Sequence, residues 1–401
     1  MQPNPLPPGK ILIVGGGSAG WMTASIFSRS LGRVGSDITL IESPNVTTIG
    51  VGEGTTPLFK RFLQFLDVSE EEFMTAARAT YKLGINFPGW TGSGEFHAYF
   101  HPFAAPGYNE YEQNFFANCD ARRRGESAHT NPADYFFNAE LARQHKAPVG
   151  PPPCDSGGMD YAYHFDTAFL VDFLKERCLA EGVNYVVDDV TEVVHDEHGD
   201  IGHVATANSG DLDADLFVDC TGFRRVLLGT VLESEPVSYE RRLFNNRAVV
   251  IRTPVPEKDD LPPYTESTAL KCGWAWRIPL MNKVSWGYVY SANYTSQEDA
   301  EQELRAHIGE PTDGIDCTRY QAHVRASYTS TGNATASASG YHKVSSNRSR
   351  RPHSASPSSR STVSSRISHA AATSRHIVIT STRLSTKLST SRSTTFKCTT
   401  N

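Results

Sequence analysis

The chain has 401 residues, 39 % apolar and 20 % charged, a composition that fits a soluble globular protein with one large or two ordinary cores. Its net charge of −6 is uneven, because residues 317–401 carry 13 of the 38 Lys and Arg and none of the 44 Asp and Glu. The seven cysteines (Cys119, Cys154, Cys178, Cys220, Cys272, Cys317 and Cys398) are scattered and form no C-x-x-C pair, which argues against a zinc site or a disulfide framework.

The first apolar run, ILIVGGG, is too short and too rich in glycine for a signal peptide or a membrane span. The expectation is therefore a cytoplasmic protein with no membrane partner. KILIV at 10–14 reads as a buried strand, GGGSAGW as a turn, Met22–Leu31 as a helix, and DITLI at 37–41 as a second strand ending at Glu42. This β-turn-α-β order opens a doubly wound α/β sheet. A glycine-rich loop, TIGVGEGTTP, precedes a helix that starts at Pro57. Residues 90–160 hold many aromatics, glycines and prolines without periodicity, and read as a loop-rich substrate region. DTAFLVDFLKERCLAEG at 166–182 is an amphipathic helix closed by Gly182. Strands with turns at Gly199 and Gly210 follow, then strand and helix patterns at 274–290 and 299–308.

Gly15, Gly17 and Gly20 form G-x-G-x-x-G between the first strand and helix. In such a motif the first glycine permits a tight turn, the second lets backbone approach a pyrophosphate, and the third lets the helix pack close to the strand. Ser18 and Ala19 would complete the helix N-terminus that faces the phosphates, and Glu42 stands where a carboxylate accepts ribose hydroxyls. Asp219-Cys220-Thr221-Gly222 follows the strand ADLFV. Flavoproteins of the two-dinucleotide type use such a D-x-T-G segment beside the flavin, so the pair of motifs points to FAD rather than NAD. An ordinary glycine turn and an ordinary strand-to-turn junction are the alternatives.

Trp274-Ala275-Trp276-Arg277-Ile278-Pro279 matches the W-x-W-x-I-P signature of flavin-dependent halogenases of the tryptophan-halogenase family. GVGEGTTP at 50–57, YAYHFD at 161–166 and the lysine in TYKLGINFPGW, Lys82, agree with it. Over about residues 8–310 the chain resembles that family. The resemblance implies an FAD-binding two-dinucleotide fold with a substrate-side subdomain, and Gly50, Gly52 and Glu53 join the cofactor residues. It implies reduced FAD supplied by a separate flavin reductase, with halide (chloride or bromide) and O2 as co-substrates. Hypohalous acid formed at the flavin would pass through a tunnel to Lys82, which presents the halogen to an electron-rich ring such as tryptophan or another indole. Trp274, Trp276, Ile278 and Pro279 would line that route, and His101 and Phe103 would clamp the ring. No metal is implied. Without the resemblance, Lys82 would be a surface lysine and the two tryptophans would pack one face of a strand.

The family continues with a segment like L-S-x-G-F-x-E-P-L-E-x-T, whose second glutamate helps remove the ring proton. The written chain has GYHKVSSNRSRRPHS at 340–354 instead. Joining each codon's third base to the first two bases of the next codon allows LSQGFIEPLEATAL across this stretch. The Ser/Thr/Arg-rich tail therefore reads as an out-of-frame translation, with the break between Gly314 and Gly340 and the C-terminal helical part missing or scrambled. On this basis 8–316 is the halogenase-like domain, and 317–401 is an aberrant, disordered tail. Its positive charge is then no evidence for nucleic acid. Two rival readings stand beside this one: an FAD-dependent aromatic monooxygenase that hydroxylates its substrate, and an inactive frameshifted product.

Overall fold

The computed structural model describes residues 7–46, 50–91, 97–103, 109–150, 159–231, 242–256, 261–309, 312, 314–321, 378–381 and 395–396. A strand at Lys10–Val14 (β1) enters the glycine turn, followed by a helix at Ser18–Ser30 (α1) and a strand at Asp37–Glu42 (β2). Then come β3 (Glu53–Gly54), α2 (Leu58–Leu66), α3 (Glu70–Ala76), β4 (Thr80–Lys82), β5 (Gly84–Pro88) and β6 (Ala98–Pro102). Two helices, α4 (Asn109–Arg123) and α5 (Phe137–Arg143), precede β7 (Ala162–Phe165) and α6 (Thr167–Ala180). A strand-rich stretch holds β8 (Asn184–Val187), β9 (Val190–His195), β10 (Ile201–Thr206), β11 (Asp211–Asp213) and β12 (Leu216–Asp219), ending in α7 (Leu228–Val231). The rest comprises β13 (Arg247–Thr253), β14 (Thr265–Leu270), β15 (Gly273–Pro279), β16 (Val284–Tyr290), α8 (Gln297–Ile308), β17 (Cys317–Gln321), β18 (Val378–Ser381) and β19 (Thr395–Phe396).

The chain divides into two compact units. One draws on the described residues of 1–49, 171–241 and 323–401. Its main sheet has the order β19-β18-β12-β1-β2-β8, with β12, β1, β2 and β8 parallel. β1 reads as an unbroken apolar run because it is buried along Ile11–Val14. Leu12, Val14, Ile41, Val204 and Phe217 form a core there, and β9, β10 and β11 make a separate antiparallel sheet.

The other unit uses described residues of 50–170 and 242–322. A seven-stranded sheet runs β17-β13-β16-β15-β14-β5-β6. Val249, Ile251, Ala275, Tyr288 and Tyr290 on its strands pack against Ala300, Leu304 and Ile308 of α8. A small sheet, β3-β7-β4, completes the unit.

Two expectations need correction. Among the described residues of 90–160, which sequence pattern read as loop-rich, α4 forms a helix of fifteen residues. Its apolar stripe is short, Tyr111, Phe115 and Cys119 at helical spacing among polar neighbours. It still places Glu110 and Glu112 in its first turn and Arg122 and Arg123 in its last, the arrangement a helix dipole favours. Cys317–Gln321, assigned by composition to the tail, is a strand that pairs with β13 from Arg247 to Ile251. The short strand β18 pairs with β12, whereas residues 340–354, which carry the out-of-frame argument, lie outside the described residues.

Candidate active site

In the first unit, β1 and β12 run parallel with Val14 opposite Asp219, so their C-terminal turns meet. Gly15 has φ +114°, and a Cβ there would lie 2.5 Å from the Cys220 carbonyl oxygen. Only glycine accepts both demands. A Cβ on Gly20 would lie 1.8 Å from the Gly15 oxygen, which shows how closely α1 packs on the turn. Gly17 caps α1 without a side-chain hydrogen bond, and a Cβ there would point into open space. The N–H groups of the first turn, Ser18 and Ala19 among them, lie at the helix end that attracts phosphate.

Glu42 ends β2 with its carboxyl group packed against the Cα of Gly16 and its Oε2 accepting a 2.7 Å hydrogen bond from the Tyr185 hydroxyl. Sequence reasoning named neither partner. Asp219 accepts from Thr221 N, Thr221 Oγ1, Leu227 N and Leu228 N, at 2.6–2.9 Å. Its carboxylate thus builds the D-x-T-G turn itself, leaving backbone, including Gly222 at φ +60°, as the surface a cofactor could meet. Burial pushes the Cys220 thiol up to about 12, so it stays protonated. This geometry fits a dinucleotide: open space above Gly17, free amides at a helix end, and a carboxylate at the end of the second strand.

In the second unit, the small sheet has two unlike faces. Tyr163 and Phe165 of β7 join Phe59, Phe73 and Tyr81 in an aromatic core. Burial, with the Glu70 carboxylate nearby, raises the Tyr163 and Tyr161 hydroxyls above the usual phenol range. Alternation along β4 and β7 sends Thr80, Lys82 and His164 to the opposite face. Lys82 is only 1 % exposed, and a buried ammonium needs partners. It donates to the Thr55 carbonyl at 3.0 Å and sits 5.5 Å from the centre of the Phe103 ring. Gly54 leaves room for it.

The strand carrying Lys82 is held on both sides. Leu83 donates to the Pro263 carbonyl and accepts from Phe103 N and from Asn138 Nδ2. Gly84 faces Pro102, and a Cβ on it would lie 2.4 Å from the His101 oxygen. Lys82 and Phe103, predicted separately, are thereby brought together, while His101 lies exposed on β6 opposite Ile85. The 50–55 loop belongs to this unit. Arg252 donates twice to the Gly50 carbonyl, Ser285 donates to the Val51 carbonyl, Gly52 adopts φ +78°, and Glu53 pairs with Phe165.

Trp274 and Trp276 share one face of β15, with ring centroids 6.2 Å apart. The Trp276 indole lies over Gly287 of β16, where any Cβ would collide with it. Ile278 is buried, and the Pro279 carbonyl accepts from the Thr80 hydroxyl at 2.7 Å. Through Thr80, the tryptophan hairpin is tied to the strand of Lys82. Thr80, His164 and Thr265 escaped sequence reasoning. His164 stands within YAYHFD, but Thr265 has no local signal. Among the described residues, no three His, Cys, Asp or Glu side chains gather as a metal would require, and no helix is long and apolar enough to cross a membrane.

Residues 10–330 match the tryptophan halogenase family. The tryptophan 6-halogenase SttH of Streptomyces toxytricini is 41 % identical over 323 residues, 75 % of this chain and 61 % of that protein. The tryptophan 7-halogenase RebH of Lentzea aerocolonigenes is 36 % identical over 318 residues, 74 % of this chain and 58 % of RebH. A crystal structure of a tryptophan halogenase from Shewanella frigidimarina superposes with a TM-score of 0.71 at 30 % identity, covering 80 % of this chain and 63 % of that one. The chain spans about three-fifths of the length of these curated relatives. By this match the chain belongs to the tryptophan halogenase family.

Proposed function

We propose that the natural protein halogenates an electron-rich aromatic ring, tryptophan or another indole, with FAD as cofactor and Lys82 as the residue that delivers the halogen. The burial of the Lys82 ammonium against the Thr55 carbonyl, beside the Phe103 ring, carries this reading. Gly15, Gly17, Ser18, Ala19, Gly20 and Glu42 would hold the adenosine diphosphate end of FAD, with backbone at Asp219–Gly222 leading toward the flavin. Bound and reduced by a separate flavin reductase, FAD would supply the electrons with which O2 converts halide to hypohalous acid.

Lys82 does the remaining work in two ways. Its ammonium donates a hydrogen bond to the oxygen of hypohalous acid and draws electron density from the halogen. A ring carbon then attacks the halogen, the oxygen–halogen bond breaks, and the oxygen leaves as water with a proton from the ammonium. Loss of the ring proton restores aromaticity, so arene and hypohalous acid give haloarene and water. Phe103 holds the ring by stacking, and His101 stands two residues before it on β6.

The carboxylate that takes the ring proton would lie in the segment read out of frame. The proposed break in frame lies between Gly314 and Gly340. The halide site would lie just after that carboxylate, so the chain as written would perform neither the halide step nor the ring step well. Product analysis with FAD, a flavin reductase, NADH, O2 and halide tests the reading. Ring halogenation by the frame-restored protein is expected. Hydroxylated product independent of halide would replace the proposal with the monooxygenase reading.

A further inference from the structure

His164 is fully buried at the centre of the small sheet, directly opposite Thr80 on β4 and Gly54 on β3. Its Nδ1 lies 3.2 Å from Thr80 Oγ1, and its Nε2 lies 2.9 Å from Thr265 Oγ1. The directions of these bonds follow from counting protons. The Thr80 hydroxyl has one, given to the Pro279 carbonyl at 2.7 Å. Toward His164 it can only accept, so Nδ1 carries a hydrogen. Full burial of the ring disfavours its charged form. A neutral ring with hydrogen on Nδ1 leaves Nε2 as an acceptor, and the Thr265 hydroxyl donates to it. One relay results: Thr265 to His164, His164 to Thr80, Thr80 to the Pro279 carbonyl.

The relay ends beside the ammonium. The point where a Cβ on Gly54 would stand is 2.9 Å from Lys82 Nζ, 3.4 Å from Thr265 Oγ1 and 3.5 Å from His164 Cδ2. With its hydrogen committed to Nε2, Thr265 turns oxygen lone pairs toward this space, a favourable orientation for a cation.

We infer that His164 is a positioning residue for Lys82: as the neutral Nδ1–H tautomer it orients the Thr265 hydroxyl toward the ammonium and fixes, through Thr80, the strand from which the lysine projects. This inference rests on the proposed role of Lys82 for its functional meaning, but its test reads the tautomer and the amine directly.

The test uses the full chain labelled with 15N in its histidines. His164 is assigned by its absence in His164→Gln, and its two ring nitrogens are read at neutral pH. Lys82 is followed in parallel by trace acylation with an amine-reactive reagent, quantified by mass spectrometry. The wild type is expected to show hydrogen on Nδ1 and a bare Nε2. Thr80→Val removes the acceptor at Nδ1. The ring should then flip to Nε2–H, Thr265 must accept from it, its freed hydroxyl hydrogen turns toward the ammonium, and Lys82 acylation should rise roughly tenfold as the repelled ammonium loses its proton more readily. Thr80→Ser keeps the hydroxyl and should retain both wild-type signatures, which a general loosening of the sheet would not. Nε2–H or imidazolium in the wild type overturns the inference, as does unchanged Lys82 acylation in Thr80→Val despite a flipped ring. Should the relay hold while Lys82→Ala still halogenates at the parental rate, the role of Lys82 fails and the hydrogen-bond assignment stands.

Discussion

The ammonium of Lys82 occupies space that only a glycine at position 54 leaves open: a Cβ on Gly54 would stand 2.9 Å from Nζ. The obstructing atom is the end of a flexible side chain, not backbone, so the two residues are coupled in function more than in stability. Gly54→Ala is expected to fold with a stability change within about 1 kcal/mol. It should push the ammonium off the Thr55 carbonyl and slow ring halogenation up to roughly 100-fold, the order of loss seen when a reacting group is displaced by about an ångström. Thermal unfolding and product formation in the frame-restored protein, measured side by side, check this. A variant that unfolds early would show that the glycine serves packing instead.

The glycines of the first turn should separate in the opposite way. At Gly20 a Cβ meets the Gly15 carbonyl oxygen at 1.8 Å, a backbone clash that cannot relax cheaply. Gly20→Ala should cost at least about 1–3 kcal/mol. At Gly17 a side chain meets nothing within 4 Å. Gly17→Leu should cost under about 1 kcal/mol yet abolish FAD binding, because its side chain would enter the space proposed for the pyrophosphate. Flavin fluorescence titration and thermal melts on both variants distinguish the two roles, and undiminished FAD affinity in Gly17→Leu would remove the cofactor assignment.

Alkaline pH should reveal the buried thiols of the first unit. Burial raises Cys220 from an ordinary value near 9 to about 12 and Cys178 to about 11. Both thiols remain protonated in the fold while the unfolded chain ionises from about pH 9. Their contribution to stability is therefore fully present below pH 9 and is lost as pH rises through 11 and 12. Denaturant unfolding between pH 8 and 11 should show stability falling with pH. Cys220→Ala and Cys178→Ala should each flatten that slope. Equal slopes in parent and variants would mean that neither thiol is protected as its burial indicates.

Much of this architecture was legible because the physics is local. The strand, glycine turn and helix at 10–30 announce themselves through apolar run and backbone demand, as does α6 with its closing glycine at φ +90°. Lys82, Phe103 and the W-x-W-x-I-P segment were found by resemblance, and β5–β6 pairing explains why the first two meet. α4 stayed hidden because its apolar stripe, Tyr111, Phe115 and Cys119, is short and sits among polar residues. The strand at Cys317–Gln321 was masked by the composition that follows it, since a five-residue edge strand contributes little to an average over a long segment. His164, Thr80 and Thr265 are 84 and 101 residues apart in their hydrogen bonds, and Tyr185 reaches Glu42 across 143. No spacing rule connects residues that only the folded sheet brings together.

Substitution of Lys82 tests the central claim most directly. The frame-restored protein and its Lys82→Ala variant should be compared with FAD, a flavin reductase, NADH, O2, halide and an indole substrate, following NADH consumption, hypohalous acid by a small trapping reagent, and ring-halogenated product. Lys82 is proposed to act after halide oxidation, so the variant should consume NADH and yield trapped hypohalous acid at the parental rate while its ring-halogenated product falls to background. Product formation by Lys82→Ala at the rate of its parent would contradict the account and return Lys82 to the status of a buried structural residue.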